Sequence, residues 1–165
     1  MLLQGQPNQN APIQVQAPEL LTSASSADQT PKTILLVDDD ENSPLLLTLA
    51  LKKLHPPPTL HFVSNAILAQ EYLLGTGAFA DRLVHPFPQL ILLDLSMPMM
   101  NGFEFLSWAR SLPEFKPLPI VVLTDSINPR DLSRAYELGA TLFLVKPADM
   151  AELAEPLKNL LQLRC

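Results

Sequence analysis

Cysteine is all but missing from this sequence, with Cys165 at the last position the only one. No disulfide can form within the chain, which excludes the small cross-linked scaffolds of secreted proteins and fits a reducing cytoplasm. Long apolar runs are missing too. None approaches the roughly 20 residues needed to cross a bilayer, so no membrane insertion is expected. The N-terminus also lacks the basic region and apolar stretch of a secretory signal. Positive charge is scarce and dispersed: 11 Lys and Arg stand against 17 Asp and Glu, for a net charge of −6. Nucleic-acid binding needs a basic patch to neutralise phosphates, so direct DNA contact is not expected. His55, His61 and His85 are scattered and lack the spacing of zinc ligands.

What is there is a globular composition, 47% hydrophobic over 165 residues, about one domain long. Residues 1–31 stand apart. They are rich in Gln, Pro, Ser and Ala, carry no Lys or Arg, and show neither a helical nor a strand period. They are expected to form a flexible tail, followed by one folded domain in residues 32–165.

From Lys32 onward the pattern changes. Thr33 to Val37 is a short apolar run ending in acids, as in a parallel strand buried on both faces. Ser43-Pro44 opens a helix, with Ser43 as N-cap and Pro44 at the first helical position. That helix runs to about Leu54, before Pro56-Pro57-Pro58. Further strands are expected at Thr59 to Val63, Leu90 to Leu93, Ile120 to Leu123 and Leu142 to Val145. Helices are expected near Asn65 to Leu74, Gly102 to Leu112, Asn128 to Gly139 and Asp149 to Leu163. Five apolar strands alternating with five helices imply an α/β fold, a doubly wound parallel sheet with helices on both faces.

In such sheets the working residues lie beyond the carboxyl ends of the strands. There the sequence puts Asp38 and Asp39 after strand one, Asp94 after strand three, Thr124 after strand four and Lys146 after strand five. Converging carboxylates repel unless a proton or a cation intervenes. A hard divalent cation with oxygen ligands, such as Mg²⁺, resolves this. A carboxylate can also act as nucleophile and form an acyl phosphate, a transfer that needs positioning and charge neutralisation. Lys146 and the metal would supply positive charge, and the Thr124 hydroxyl a hydrogen bond to a phosphoryl oxygen. Singly, each residue has an ordinary reading: a solvated turn for Asp38 to Asp40, a loop cap for Asp94, a strand residue for Thr124, a surface ammonium for Lys146. It is their joint occurrence at four strand ends that points to chemistry.

Val37-Asp38-Asp39, Leu92 to Pro98, Val122-Leu123-Thr124 and Phe143 to Pro147 together resemble the response-regulator receiver family, in its order and spacing, over residues 33 to about 163. The resemblance implies a five-stranded sheet in the flavodoxin-like order 2-1-3-4-5. It implies that Asp94 is the phosphoacceptor, and that Asp39, Asp94 and the Ser96 carbonyl bind Mg²⁺ with help from Asp38. Lys146 would pair with the phosphoryl group through a strand end whose Lys146–Pro147 bond is cis. Thr124 and Phe143 would form the switch pair, although Phe143 also reads as a core aromatic. The 75-to-88 segment and Trp108 resemble single-domain receivers partnered with phytochrome-like histidine kinases.

The expected function is thus a stand-alone receiver in a two-component phosphorelay, not a turnover enzyme. A sensor histidine kinase or phosphotransfer protein would phosphorylate it, and a protein partner would read the result. The face of the fourth helix, fifth strand and fifth helix would serve for a homodimer. Two departures bear on this. Asp125 stands where the family has a small residue, which affects phosphate lifetime. Pro156 falls inside the expected last helix, which should kink or restart there. A receiver-like adaptor that is never phosphorylated is the alternative. An aspartyl-nucleophile phosphatase of the haloacid-dehalogenase type is disfavoured, because Ser96 occupies the position of its general acid.

Overall fold

The computed structural model describes residues 31–162. The expectation for residues 1–31 therefore lies outside the described residues, save for Pro31 itself. Five strands form one sheet: β1 (Thr33–Val37), β2 (Thr59–Val63), β3 (Leu90–Leu93), β4 (Ile120–Thr124) and β5 (Leu142–Val145). Their order is β2-β1-β3-β4-β5 and every pairing is parallel. The helices are α1 (Ser43–Leu51), α2 (Ala66–Leu74), α3 (Gly102–Ser111), α4 (Pro129–Glu137) and α5 (Ala154–Gln162). Among the described residues no helix is long and apolar enough to cross a membrane.

β1, β3 and β4 are buried along their whole length, which is why they read as unbroken apolar runs rather than alternating ones. Alternation survives as a division between the two faces. Ile34, Leu36, Leu90, Leu92, Val121 and Leu123 pack with Leu47 and Leu51 of α1 and Leu157 and Leu161 of α5. Leu35, Val37, Ile91 and Leu93 pack with Ala66 and Ala69 of α2 and Phe105 and Leu106 of α3. A smaller cluster of Leu95, Phe103, Val122 and Ala135 seats α4, with Phe143 against it.

The helix ends follow local chemistry. Asn65 caps α2 by accepting the Leu68 N–H, and Gly75 ends it in the left-handed region at φ 64°. That conformation favours a residue without a Cβ. Arg82 then donates to the Tyr72 and Leu73 carbonyls at 2.7 Å each, which supplements the Gly75 N–H on the Tyr72 carbonyl and gives the Leu73 carbonyl a donor at the end of the helix. Asn101 and Glu104 form a reciprocal capping box at α3.

Three expectations need correction. Ser43 is not the N-cap of α1: the cap position is Asn42, without a side-chain bond, because the Ser43 hydroxyl donates instead to Asp38 Oδ2 at 2.9 Å. The Lys146–Pro147 bond is trans, and the cis bond among the described residues is His55–Pro56. The two isomers of an X–Pro bond differ little in free energy, so residue identity alone does not choose between them. The last helix is broken into a 3₁₀ turn at Met150–Leu153 and α5 from Ala154. Pro156 thus sits in the first turn of α5, where the N–H it lacks has no intrahelical partner to lose. A kink or a restart was expected at Pro156; the helix restarts two residues earlier, at Ala154.

Candidate functional site

The parallel sheet ends all its strands on one edge, and the backbone ladder fixes how far each one projects. Asp38 N–H donates to the Val63 carbonyl at 3.2 Å, and Asp94 N–H to the Val37 carbonyl at 2.9 Å. Each carboxylate is thereby held one residue past the end of its strand. Lys146 N–H donates to the Thr124 carbonyl at 2.7 Å and sets the fifth strand end in the same way. All the candidate residues at strand ends therefore meet on this edge.

Asp38 is the organising group. It is 1% exposed, and its two oxygens accept three hydrogen bonds between them. Oδ1 accepts the Asp40 N–H at 2.9 Å. Oδ2 accepts both the Ser43 hydroxyl at 2.9 Å and Lys146 Nζ at 2.8 Å. Lys146 Nζ is also 3.7 Å from Asp94 Oδ2, and Asp94 Oδ1 accepts the Ser96 N–H at 3.4 Å. Asp39 and Asp40 are exposed; Asp40 only closes its own turn, accepting the Asn42 N–H. Thr124 is buried, and its hydroxyl oxygen accepts the Ser126 N–H at 3.3 Å. Phe143 is half-buried on β5.

The charges are unequally compensated. Burial pushes the Asp94 carboxyl up to about 6; the Lys146 ammonium and the Ser96 N–H oppose this, while Asp38 and Asp39 add to it. Burial pulls Lys146 down, but its hydrogen bond to Asp38 and the charges of Asp94, Asp38 and Asp125 outweigh that and leave it raised. One ammonium is thus shared between two buried carboxylates, with a third beside them.

This donor set fits a divalent cation. One oxygen from each of Asp38, Asp39 and Asp94 lies within 4.8 Å of the others. All are hard carboxylate oxygens, the ligand type that Mg²⁺ and Mn²⁺ prefer. Bound there, a cation would hold the three charges together and neutralise oxygen charge on an incoming phosphate.

Two supporting features were not foreseen. Ser43, taken for a helix cap, is the group that fixes Asp38 from below. Gly102, taken only as a helix start, lies against the phosphoacceptor candidate's own backbone. A Cβ at Gly102 would fall 2.4 Å from the Asp94 carbonyl oxygen and 2.8 Å from Leu95 Cα. No local pattern announces such an approach, because it depends on where the loop after β3 returns.

A doubly wound parallel sheet with clustered acids and a lysine at its carboxyl edge defines a flavodoxin-like α/β domain with a candidate cation site at that edge. The comparisons narrow this class to one family. The model of the response regulator receiver domain matches residues 34–158, and the chain belongs to that family. It is 33% identical over 129 residues to the response regulator Rcp1 of Synechocystis, covering 78% of this chain and 86% of that one. The phosphorylated cyanobacterial phytochrome response regulator RcpA superposes with a TM-score of 0.71 at 32% identity, covering 82% of this chain and 94% of the other. The Mn²⁺-bound form of Rcp1 gives 0.68 at 32% identity, over 78% and 91%.

The raised Asp94 carboxyl has a consequence for stability. Its folded pKa, about 6, exceeds the ordinary value of 3.8, so the folded state binds this proton more tightly than the unfolded chain. The stabilisation this gives is complete below the ordinary aspartate range and is lost as pH rises toward and through 6. Without metal, Asp94→Asn should therefore be more stable than the wild type at pH 7.5 by on the order of 1–3 kcal/mol. The gap should close near pH 4. Urea denaturation at the two pH values measures it, and equal stabilities at pH 7.5 would contradict the charge assignment.

Proposed function

We propose that this chain is a stand-alone phosphoaccepting switch of a two-component phosphorelay, with Asp94 as its phosphorylated residue. The observation that carries the reading is the convergence of Asp38, Asp39 and Asp94 on one another with Lys146 bridging two of them. An Asp94 oxygen attacks the phosphorus of a phosphohistidine; the P–N bond breaks, an acyl phosphate forms, and the imidazole leaves with a proton. Asp39, Asp94 and the Ser96 carbonyl, with Asp38 assisting, hold Mg²⁺, which supplies charge neutralisation. Lys146 swings its ammonium from Asp94 to the new phosphoryl group while Asp38 keeps hold of its other side.

Thr124 and Phe143 then form the switch. The Thr124 hydroxyl turns toward the phosphoryl oxygens, and the half-buried Phe143 ring closes into the space behind it. The population shifts toward a conformer with a different binding face. Leu132 and Tyr136 of α4 and Val145 of β5, all exposed apolar side chains, form the surface for a second receiver or a downstream protein. The likeness to RcpA and Rcp1 supports a histidine kinase of the phytochrome type as partner, and a cytoplasmic location goes with that partner.

Incubation with acetyl phosphate and Mg²⁺ tests the acceptor. The wild type should gain one phosphoryl mass, lost on chelation of the metal before the reaction, and Asp94→Asn should gain none. Phosphorylation of the variant at the wild-type rate would end the assignment.

Asp125 adds a second measurable feature. It is exposed, yet its charge acts on Lys146 and therefore competes with an incoming phosphoryl group for the same ammonium. Asp125→Ala should accelerate phosphorylation by acetyl phosphate by roughly two- to fivefold at low ionic strength, with the gain shrinking as salt screens the exposed charge. An unchanged rate at low salt would show that Asp125 does not reach the pocket.

A further inference from the structure

α4 is the most lightly packed helix of the domain. Ala135 is its buried residue, against four in α1, four in α2 and five in α3. Burial of apolar area therefore contributes little to holding it in place. Polar contacts hold it instead. At its N-terminal end the Ser126 hydroxyl donates to Asp131 Oδ2 at 2.5 Å. The Asn128 N–H donates to Ser126 Oγ at 3.3 Å, and Asn128 Oδ1 accepts the Arg130 N–H at 3.0 Å. Toward its C-terminal end the Tyr136 hydroxyl accepts the Phe143 N–H at 3.1 Å.

These contacts are not independent of the pocket. The same residue whose hydroxyl binds Asp131 donates its backbone N–H to the Thr124 hydroxyl oxygen. A chain of hydrogen bonds thus runs from Thr124 through Ser126 to the first turn of α4. Thr124 cannot carry its hydroxyl toward Asp94 while Ser126 keeps both bonds, because Ser126 is fixed to the helix on one side and to Thr124 on the other. Either the Thr124–Ser126 bond breaks, or the loop and α4 move together.

We propose that the Ser126–Asp131 hydrogen bond is a latch that holds Thr124 and α4 in their resting arrangement. Ser126 and Asp131 are then positioning residues, which set how readily the phosphorylated conformation is reached. This rests on the reading of Thr124 as the switch residue. The pair does not touch the metal or the phosphoryl group, so its loss changes the population of the responsive conformer and leaves the affinity of that conformer alone. The apparent dissociation constant of a ligand that selects a minor conformer falls in proportion as that conformer becomes more populated.

The test uses the full chain with Mg²⁺ and beryllofluoride, a phosphoryl mimic, and reads the apparent beryllofluoride affinity. Trp108 is the reporter, since it lines a groove with Arg134 of α4 and with Leu138, the residue that caps its C-terminal end. Ser126→Ala and Asp131→Ala should each tighten beryllofluoride binding by roughly three- to tenfold, the range set by one ordinary hydrogen bond weakened by solvent at a part-buried site. The double variant should gain no more than either single one, and Ser126→Thr, which keeps the hydroxyl, should stay near the wild type. Affinity for Mg²⁺ alone should not change in any of them, a readout that general loosening of the fold would disturb. Wild-type beryllofluoride affinity in both alanine variants, or additive gains in the double variant, would overturn the latch while leaving the receiver chemistry intact. Failure of the wild-type chain itself to bind beryllofluoride would overturn that chemistry and the latch with it.

Discussion

Among the described residues, the ammonium of Lys146 is the positive charge that the carboxyl edge of the sheet places among its acids. It reaches Asp38 at 2.8 Å and Asp94 at 3.7 Å, tying β1, β3 and β5 together across the full width of the site. One cation cannot satisfy two buried carboxylates and a third beside them. Asp94 consequently keeps part of its affinity for a proton, with its carboxyl near 6. A site left short of positive charge favours a divalent cation with oxygen ligands, and on the proposed reading that cation would offset the negative charge of a phosphoryl group. The architecture around it follows from this need. Ser43 and the Asp40 N–H each donate to the Asp38 carboxylate and fix its orientation, and Gly102 lets the chain pass directly over the Asp94 carbonyl.

The rest of the domain divides into rigid and movable parts. β1, β3 and β4 are fully buried and hold the acids and Thr124 to fixed ladders. α4 is attached mainly by side-chain hydrogen bonds and by Arg134 stacked over the Phe103 ring at 4.3 Å. Of the elements near Asp94, α4 is therefore held by the least buried apolar surface. Segments that move in regulation come from the less stable end of a structure, and here that end adjoins Thr124 and Phe143.

Much of this was legible in the residues alone, for physical reasons that can be named. Strands buried on both faces leave unbroken apolar runs, which marked β1, β3 and β4. β2 and β5 are only half-buried but are short apolar segments bounded by turn residues, and all five were found within a residue of their observed ends. Asp38, Asp39, Asp94, Thr124 and Lys146 were readable because a parallel sheet sends its carboxyl ends to one edge whatever the details of packing. What failed depended on contacts distant in sequence or on small energy differences. Ser43 looked like a cap because nothing nearby shows that a buried carboxylate claims its hydroxyl. The isomer at Lys146–Pro147 is a matter of tertiary context. Arg82, which closes the end of α2, carries no local signal. The capping box was different, since Asn101 followed by Glu104 is a recognisable pattern that went unused.

The central claim is that Asp94, and not its acidic neighbours, is the nucleophile. Borohydride reduction of the chain after treatment with acetyl phosphate and Mg²⁺ converts an aspartyl phosphate to homoserine, which peptide mass mapping locates. The account predicts homoserine at position 94 and unaltered aspartate at 38 and 39. Homoserine at 38 or 39, with 94 unmodified, would contradict it.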